Sequence, residues 1–99
     1  EVDLDTGAVV GSRLKPSVDL PHHLFLYRRD PAIGGVIHTH SNHATAFAAA
    51  GRPIPLCLTA IADEFGAEIP CAPYVDNEGE HIGEAILALV INAIVLLRG

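Results

Sequence analysis

Basic residues are scarce in this 99-residue chain, which has six Lys and Arg against twelve Asp and Glu. Its formal net charge is −6, and its largest positive group is the pair Arg28 and Arg29. Proteins that bind nucleic acid need clustered basic side chains to contact the phosphates. We therefore expect no nucleic acid among the partners of this protein.

Cysteines and long apolar runs are also few. Cys57 and Cys71 are not in a CxxC spacing, which fits a reduced cytoplasmic protein better than a disulfide scaffold, although one bridge stays open as an alternative. The longest apolar run, residues 85–97, is interrupted by Asn92 and is too short to cross a membrane. No signal peptide opens the sequence. We expect a cytoplasmic protein that does not interact with a membrane.

The chain is rich in aliphatic residues, since 49% of its residues are apolar and only 5% are aromatic. The length allows one domain, and the order of the predicted elements indicates an α/β or α+β sandwich, with helices covering a mixed sheet. Hydrophobic periodicity and turn residues predict its elements in order: a hairpin over 2–11, a helix over 20–28, a strand at 36–40, a helix from 44 to 50, a strand at 56–59, an acidic turn at 62–66, an edge strand or extended segment at 69–74, a helix over 79–90 and a strand at 93–97.

Two histidines follow the predicted buried strand that begins with Val36 and Ile37. Successive strand side chains point to opposite faces, so His38 and His40 are expected to share one face. Neutral imidazole is a common ligand of zinc and similar ions, so the pattern predicts half of a metal site. The alternative is that one histidine is a hydrogen-bonded core residue and the other is solvated.

Two acidic residues stand at places where ordinary structural roles are available. Asp19 precedes the first predicted helix, where it would cap the helix N-terminus and stabilise it by about 1 kcal/mol. Asp63 lies beside Glu64 in the predicted acidic turn, where a solvated loop is the default expectation. From the residues alone, neither carboxylate requires a catalytic role.

Three segments carry a resemblance to a known family: KPSVDLPHHL at 15–24, Tyr27 with Arg28, and GGVIHTHS at 34–41. Together they closely resemble the class II aldolase/adducin family, and within it the L-ribulose-5-phosphate 4-epimerase branch. The match extends over essentially the whole chain. It implies a three-layer sandwich, and we expect residues 1–99 to be a partial domain of this kind, truncated at both ends.

The resemblance also implies roles for individual residues. His38 and His40 match the histidines that bind a divalent metal, usually zinc. Asp19 matches the acid beside that metal, and we expect it to be a third metal ligand or a catalytic residue. Ser17 matches a serine that holds the substrate phosphate. Asp63 matches the proton-transfer residue of the epimerases, which reaches the site of a neighbouring subunit.

The chain departs from the family pattern in two respects. The second phosphate-loop serine is Val18 here, which weakens the phosphate assignment. The family's third histidine ligand has no match in this chain, and only His43 and His81 offer weak substitutes. We therefore expect the isolated chain to bind metal weakly.

The implied activity is a metal-dependent epimerisation of a small phosphorylated sugar, by retro-aldol cleavage and re-addition through a metal-stabilised enediolate. An aldolase acting on a ketose 1-phosphate, such as fuculose 1-phosphate, is the first alternative, because the two reactions share their chemistry. A non-catalytic, adducin-like assembly module is the second. The family also implies a homo-oligomer, specifically a tetramer.

Overall fold

A computed structural model describes residues 1–89 of the chain. The chain divides into two compact units, Glu1–Ile37 and His38–Gly99. The described helices are α1 (Leu20–Arg29), α2 (Asn42–Ala49), α3 (Thr59–Phe65) and α4 (His81–Leu87). Within residues 1–89, each of these helices is too short to cross a membrane.

The prediction of a mixed sheet covered by helices is wrong for the described residues. Residues 1–89 contain no strand. Isolated antiparallel bridges join Val2 with Val9 and Ile54 with Ile69, and Cys71 is a further bridge residue. The three-layer α/β sandwich is therefore not observed. A strand exists only through hydrogen bonds to a partner strand, and a local apolar pattern does not specify that partner.

The first unit begins with a tight turn that confirms the predicted reversal at Thr6 and Gly7. Gly7 has a φ of 73°, which glycine adopts at little cost. The Thr6 backbone N–H and hydroxyl donate to Asp3 Oδ1 over 2.7 and 2.6 Å, and these bonds lower the pKa of Asp3. The turn then leads back to the Val2–Val9 bridge.

The α1 helix confirms the predicted helix at 20–28 and extends it by one residue. Pro21 lies in the first turn, where its missing N–H costs nothing, and the basic residues of the last turn face the negative end of the helix dipole. The buried face of α1 consists of His22, Phe25 and Leu26.

Arg28 ties α1 to the N-terminal turn. Its Nε donates to the carbonyl oxygen of Leu4 over 2.7 Å, and its Nη2 donates to the carbonyl oxygen of Asp5 over 3.1 Å. The planar guanidinium presents several donors at once, so one side chain holds two successive carbonyl groups. The turn and the helix of the first unit are thereby linked.

In the second unit, α2 confirms the predicted helix that Gly51 ends. Gly51 has a φ of 64°, and the N–H of Arg52 reaches back to the carbonyl of Phe47. Ile54 and Ile69 then exchange two backbone hydrogen bonds of 3.0 Å each. The buried apolar residues of this unit within the described range are Ala48, Ile69 and Ala72.

Other local predictions are corrected by the described residues. Ile37 is 89% exposed, so the buried strand at 36–40 is wrong. Thr59 begins α3, so the strand predicted at 56–59 and the acidic turn at 62–66 are both wrong. The last predicted helix is present as α4, while its end at Val90 and the strand at 93–97 lie outside the described residues.

Candidate functional site

His38 and His40 lie side by side. Their imidazole rings stack with centroids 4.8 Å apart and an angle of 17° between the ring planes. Both residues are exposed, and neither is part of a strand. The structure thus brings the two side chains together as the His-x-His spacing predicted, without the sheet that the prediction assumed.

The donor chemistry of this pair fits a divalent ion of the zinc type, since each neutral imidazole offers one nitrogen lone pair. A zinc site requires at least three protein ligands. Within residues 1–89, no three His, Cys, Asp or Glu side chains are grouped so as to hold a metal ion. His38 and His40 therefore provide two metal donors, and the described residues do not complete the ligand set. The role of the two histidines as ligands stays a prediction.

The segment that leads into the pair is fastened by a contact that sequence analysis missed. The backbone N–H of Val36 donates to the phenol oxygen of Tyr27 over 3.0 Å, in a partly buried position. The two residues are nine positions apart, and no short-range pattern signals the contact. The only available hint was that Tyr27 belongs to a segment that resembles the family.

Ser17 and Asp19 form a second local arrangement at the start of α1. The Asp19 N–H donates to Ser17 Oγ over 3.2 Å, and Ser17 Oγ donates to Asp19 Oδ2 over 3.1 Å. Asp19 occupies the N-cap position of α1, but its side chain makes no capping hydrogen bond. The ordinary capping role is therefore not realised, and the carboxylate contacts the serine instead.

Asp63 lies in the last turn of α3 and is exposed. The helix ends two residues after Asp63, at Phe65, because Gly66 adopts a φ of 68° and donates its N–H to the carbonyl of Ala62. Asp63 is thus presented from a helix and not from the loop that its acidic neighbourhood predicted. Its proton-transfer role stays a prediction.

His81, one of the two substitutes for a third ligand, is engaged elsewhere. Its Nδ1 lies 2.6 Å from Asp76 Oδ1 at the start of α4. His43, the other substitute, is exposed on α2. Sequence analysis did not anticipate the His81–Asp76 pair, although a His five positions after an Asp beside a predicted helix start is a usable signal.

Comparison with known proteins adds to this geometry. The family described as "Class II Aldolase and Adducin N-terminal domain" matches residues 1–99. The chain is similar to "L-ribulose-5-phosphate 4-epimerase UlaF" of Salmonella paratyphi B and of Salmonella typhi, each 52% identical over 77 residues. It is also similar to the protein of that name from Salmonella paratyphi C, at 51% identity. Each match covers 78% of this chain and 33% of the relative, so the chain spans about a third of the curated relatives' length.

Proposed function

The chain belongs to the class II aldolase and adducin N-terminal domain family, and we propose that it carries part of the active site of an L-ribulose-5-phosphate 4-epimerase. The observation that supports this activity most directly is the 52% identity to relatives named as that enzyme. The proximity of His38 and His40 adds support, because both imidazoles are exposed and their stacked rings need only turn about their side-chain bonds to direct both nitrogens at one ion.

Under this proposal, His38 and His40 hold a divalent metal, for which zinc is the first candidate. Their exposure leaves room for a substrate at the same place. When bound, the ion supplies positive charge that stabilises the negative charge developing on the ketose oxygens during carbon–carbon cleavage. Asp19 is the further candidate ligand within this chain, as the family resemblance implies.

Ser17 and Asp19 serve the substrate at the start of α1. Ser17 holds the sugar phosphate, a role supported by its position just before a helix N-terminus, where negative charge is stabilised. Asp19 acts beside the metal as an acid or base. Its support is that its carboxylate is not used to cap the helix and is oriented by the Ser17 hydroxyl.

Asp63 transfers the proton of the hydroxyl group at the carbon that is inverted. Cleavage removes this proton, and re-addition to the other face of the aldehyde returns it, so one residue must both accept and donate. The exposure of Asp63 supports this role, because an exposed carboxylate can reach a site on a neighbouring subunit of a homo-oligomer.

An aldolase acting on a ketose 1-phosphate and an assembly module without catalysis remain alternatives. The aldolase releases the cleaved aldehyde, whereas the epimerase retains it and adds it back. The description of the matching family names both aldolase and adducin, and this supports both alternatives.

Because the chain spans a third of its relatives, the activity is best tested in a chimera. This chain replaces the matching segment of the Salmonella enzyme, and conversion of L-ribulose 5-phosphate is followed by NMR with zinc present. Formation of D-xylulose 5-phosphate supports the epimerase, and accumulation of two cleavage fragments supports the aldolase. A folded chimera that yields neither supports the assembly module.

The matched variants in this chimera are His38→Ala and His43→Ala. His43 is exposed and lies three residues after His40, so its replacement controls for the loss of an imidazole in the same region. The proposal requires that His38→Ala abolishes turnover and that His43→Ala leaves it within about twofold. Equal losses in the two variants would contradict the role given to His38.

A further inference from the structure

The side chain of Ser17 is the hydroxyl donor nearest in sequence to the start of α1. Residues 15–20 contain no second serine, threonine or tyrosine, and the neighbouring Val18 has an apolar side chain that is 89% exposed. A serine hydroxyl carries one proton, so it donates one hydrogen bond at a time. Any two acceptors that reach Ser17 must therefore share a single donor.

This donor is used within the chain. Ser17 Oγ donates to Asp19 Oδ2 over 3.1 Å, and it accepts the N–H of Asp19 over 3.2 Å. Hydrogen bonds from a hydroxyl to a carboxylate usually measure about 2.5–2.7 Å between the two oxygens. The bond from Ser17 to the Asp19 carboxylate is longer than this, and Ser17 is exposed. A stronger acceptor can therefore replace the carboxylate at little cost.

The backbone at the start of α1 does not relieve the demand on this hydroxyl. The Leu20 N–H donates to the carbonyl oxygen of Ser17 over 3.1 Å. The His22 N–H donates to the carbonyl oxygen of Asp19 over 3.1 Å, and Pro21 has no N–H. These backbone donors are engaged or absent. An anion at this place therefore depends on side-chain donors, of which the Ser17 hydroxyl is closest in sequence to the helix.

We propose that the sugar phosphate and the Asp19 carboxylate compete for the hydroxyl proton of Ser17. This inference rests on the proposed function, in which Ser17 holds the phosphate and Asp19 acts as an acid or base. When a phosphate oxygen binds, the hydroxyl hydrogen turns about the Cβ–Oγ bond, and Asp19 Oδ2 loses its bond to the serine. The phosphate is favoured in this exchange, because it carries more negative charge than a carboxylate and has three strong acceptor oxygens.

The competition couples substrate binding to the acid–base residue. Without substrate the Asp19 carboxylate is bonded to Ser17, and with substrate it is released from the serine towards the reacting part of the sugar. Such coupling is reciprocal. Asp19 therefore weakens phosphate binding by the same factor by which phosphate weakens the bond between Ser17 and Asp19.

The test measures the binding of inorganic phosphate to the 99-residue chain, without added metal, by NMR titration of the backbone amides. Asp19→Ala removes the competing acceptor and should strengthen phosphate binding by about two- to tenfold, the effect of one hydrogen bond. Ser17→Ala removes the shared donor and should weaken phosphate binding by about the same factor. Neither measurement requires turnover.

The double variant separates competition from simple charge repulsion between phosphate and Asp19. Repulsion does not involve the hydroxyl, so its relief should be the same whether position 17 is serine or alanine. Competition requires the hydroxyl, so Asp19→Ala should raise the phosphate affinity by a larger factor when Ser17 is present. Equal factors in the two backgrounds overturn the proposal. A wild-type chain with no measurable phosphate affinity overturns it as well.

Ser12 offers a matched control for the loss of a serine hydroxyl. Its Oγ accepts the N–H of Leu14 over 3.1 Å, in the same two-residue arrangement as at Ser17, but an apolar residue stands where Ser17 has Asp19. Both serines are exposed. Ser12→Ala should leave the phosphate affinity unchanged, and a loss equal to that of Ser17→Ala would contradict the role given to Ser17.

Asp30 is the matched control for the loss of an acidic side chain. It is half-buried like Asp19 and follows the other end of α1, where its Oδ1 accepts the N–H of Ala32 over 2.9 Å. Asp30→Ala should leave the phosphate affinity unchanged, because this carboxylate is bonded to a backbone N–H and not to the Ser17 hydroxyl. A gain as large as that of Asp19→Ala would show that net charge governs the affinity, and it would overturn the proposal.

A second measurement covers the case in which phosphate binds the Ser17→Ala chain too weakly to be measured. The side-chain carboxyl carbon of Asp19 is followed by ¹³C NMR at fixed pH. Phosphate should move this resonance in the wild-type chain towards its position in the phosphate-free Ser17→Ala chain, because both changes remove the serine bond. A resonance that stays in place at saturating phosphate, or moves the other way, overturns the proposal.

The outcomes for this competition and for the proposed function are distinct. If the chimera does not epimerise the sugar while the gain from Asp19→Ala still depends on Ser17, the proposed activity fails and the competition stands. If epimerisation is observed and the gain from Asp19→Ala is the same with serine or alanine at position 17, the competition fails alone.

Discussion

The Nδ1 atom of His81 lies 2.6 Å from Oδ1 of Asp76, and this pair connects the first residue of α4 to the loop before it. The same Asp76 oxygen accepts the N–H of Glu78 over 3.0 Å. The hydrogen bond and charge of Asp76 raise the pKa of His81 above 6.5. The Glu78 N–H and then the His81 side chain lower the pKa of Asp76 below 3.8.

The first prediction concerns the pH range in which this pair stabilises the start of α4. The contribution of His81 to the stability of the folded state is complete below pH 6.5. It is lost as the pH rises through the raised pKa of His81. The contribution of Asp76 to the stability of the folded state is present above pH 3.8. It is lost as the pH falls through the lowered pKa of Asp76. We therefore expect the pair to be fully formed between these two values.

An NMR titration of the His81 ring checks this expectation. Asp76→Asn should lower the pKa of His81 towards 6.5, because this substitution removes the largest contribution to the raised pKa of His81. Glu84→Gln is the matched control, since the charge of Glu84 contributes less than that of Asp76. A midpoint that shifts more in Glu84→Gln than in Asp76→Asn would contradict the importance of the hydrogen bond.

The second prediction compares two aliphatic residues of the first unit with opposite environments. Leu26 is 3% exposed on the inner face of α1, whereas Ile37 is 89% exposed. Leu26→Ala should lower the free energy of unfolding by about 2–5 kcal/mol, because it leaves a cavity among buried side chains. Ile37→Ala should change it by less than about 0.5 kcal/mol. Urea denaturation measures both, and a large cost at Ile37 would favour the buried strand that the described structure lacks.

The third prediction concerns the end of α3, the helix that carries Asp63. Gly66 has a φ of 68°, so Gly66→Ala should lower the free energy of unfolding by about 1–2 kcal/mol through strain. Gly34 is the control, since an added Cβ there meets no atom of residues 1–89 within 4 Å and its φ is not in the left-handed region. Gly34→Ala should be neutral or slightly stabilising, because the unfolded chain loses freedom. Thermal denaturation distinguishes the two, and equal effects would rule out strain as the cause.

Helices with clear boundary residues were predictable from the sequence. Pro21 and the basic residues around Arg28 mark the two ends of α1, and Gly51 marks the end of α2. These signals act within a few residues of the backbone that they control, so no knowledge of distant contacts is needed. The helix predictions at 20–28 and 44–50 were confirmed for this reason.

The strand predictions failed because they depended on distant partners. Val36 and Ile37 are β-branched, but the described structure has them in a segment without regular secondary structure, in which the Val36 N–H donates to the Tyr27 hydroxyl oxygen. At Thr59 the apolar run turned out to begin a helix, since short apolar runs do not distinguish strand from helix. The proximity of His38 and His40 was anticipated from their spacing of two residues, although the strand on which that expectation rested is absent from the described residues, and their role as metal ligands stays a prediction.

The bonds from Arg28 to Leu4 and Asp5 have a consequence for proteolysis. Trypsin must draw a basic side chain into its specificity pocket and extend the surrounding backbone. At Arg28 this requires releasing two carbonyl groups and unwinding α1, whereas Arg13 lies outside any helix beside Leu14, which is 81% exposed. Cleavage after Arg13 should therefore come first, leaving a long fragment in which α1 is intact.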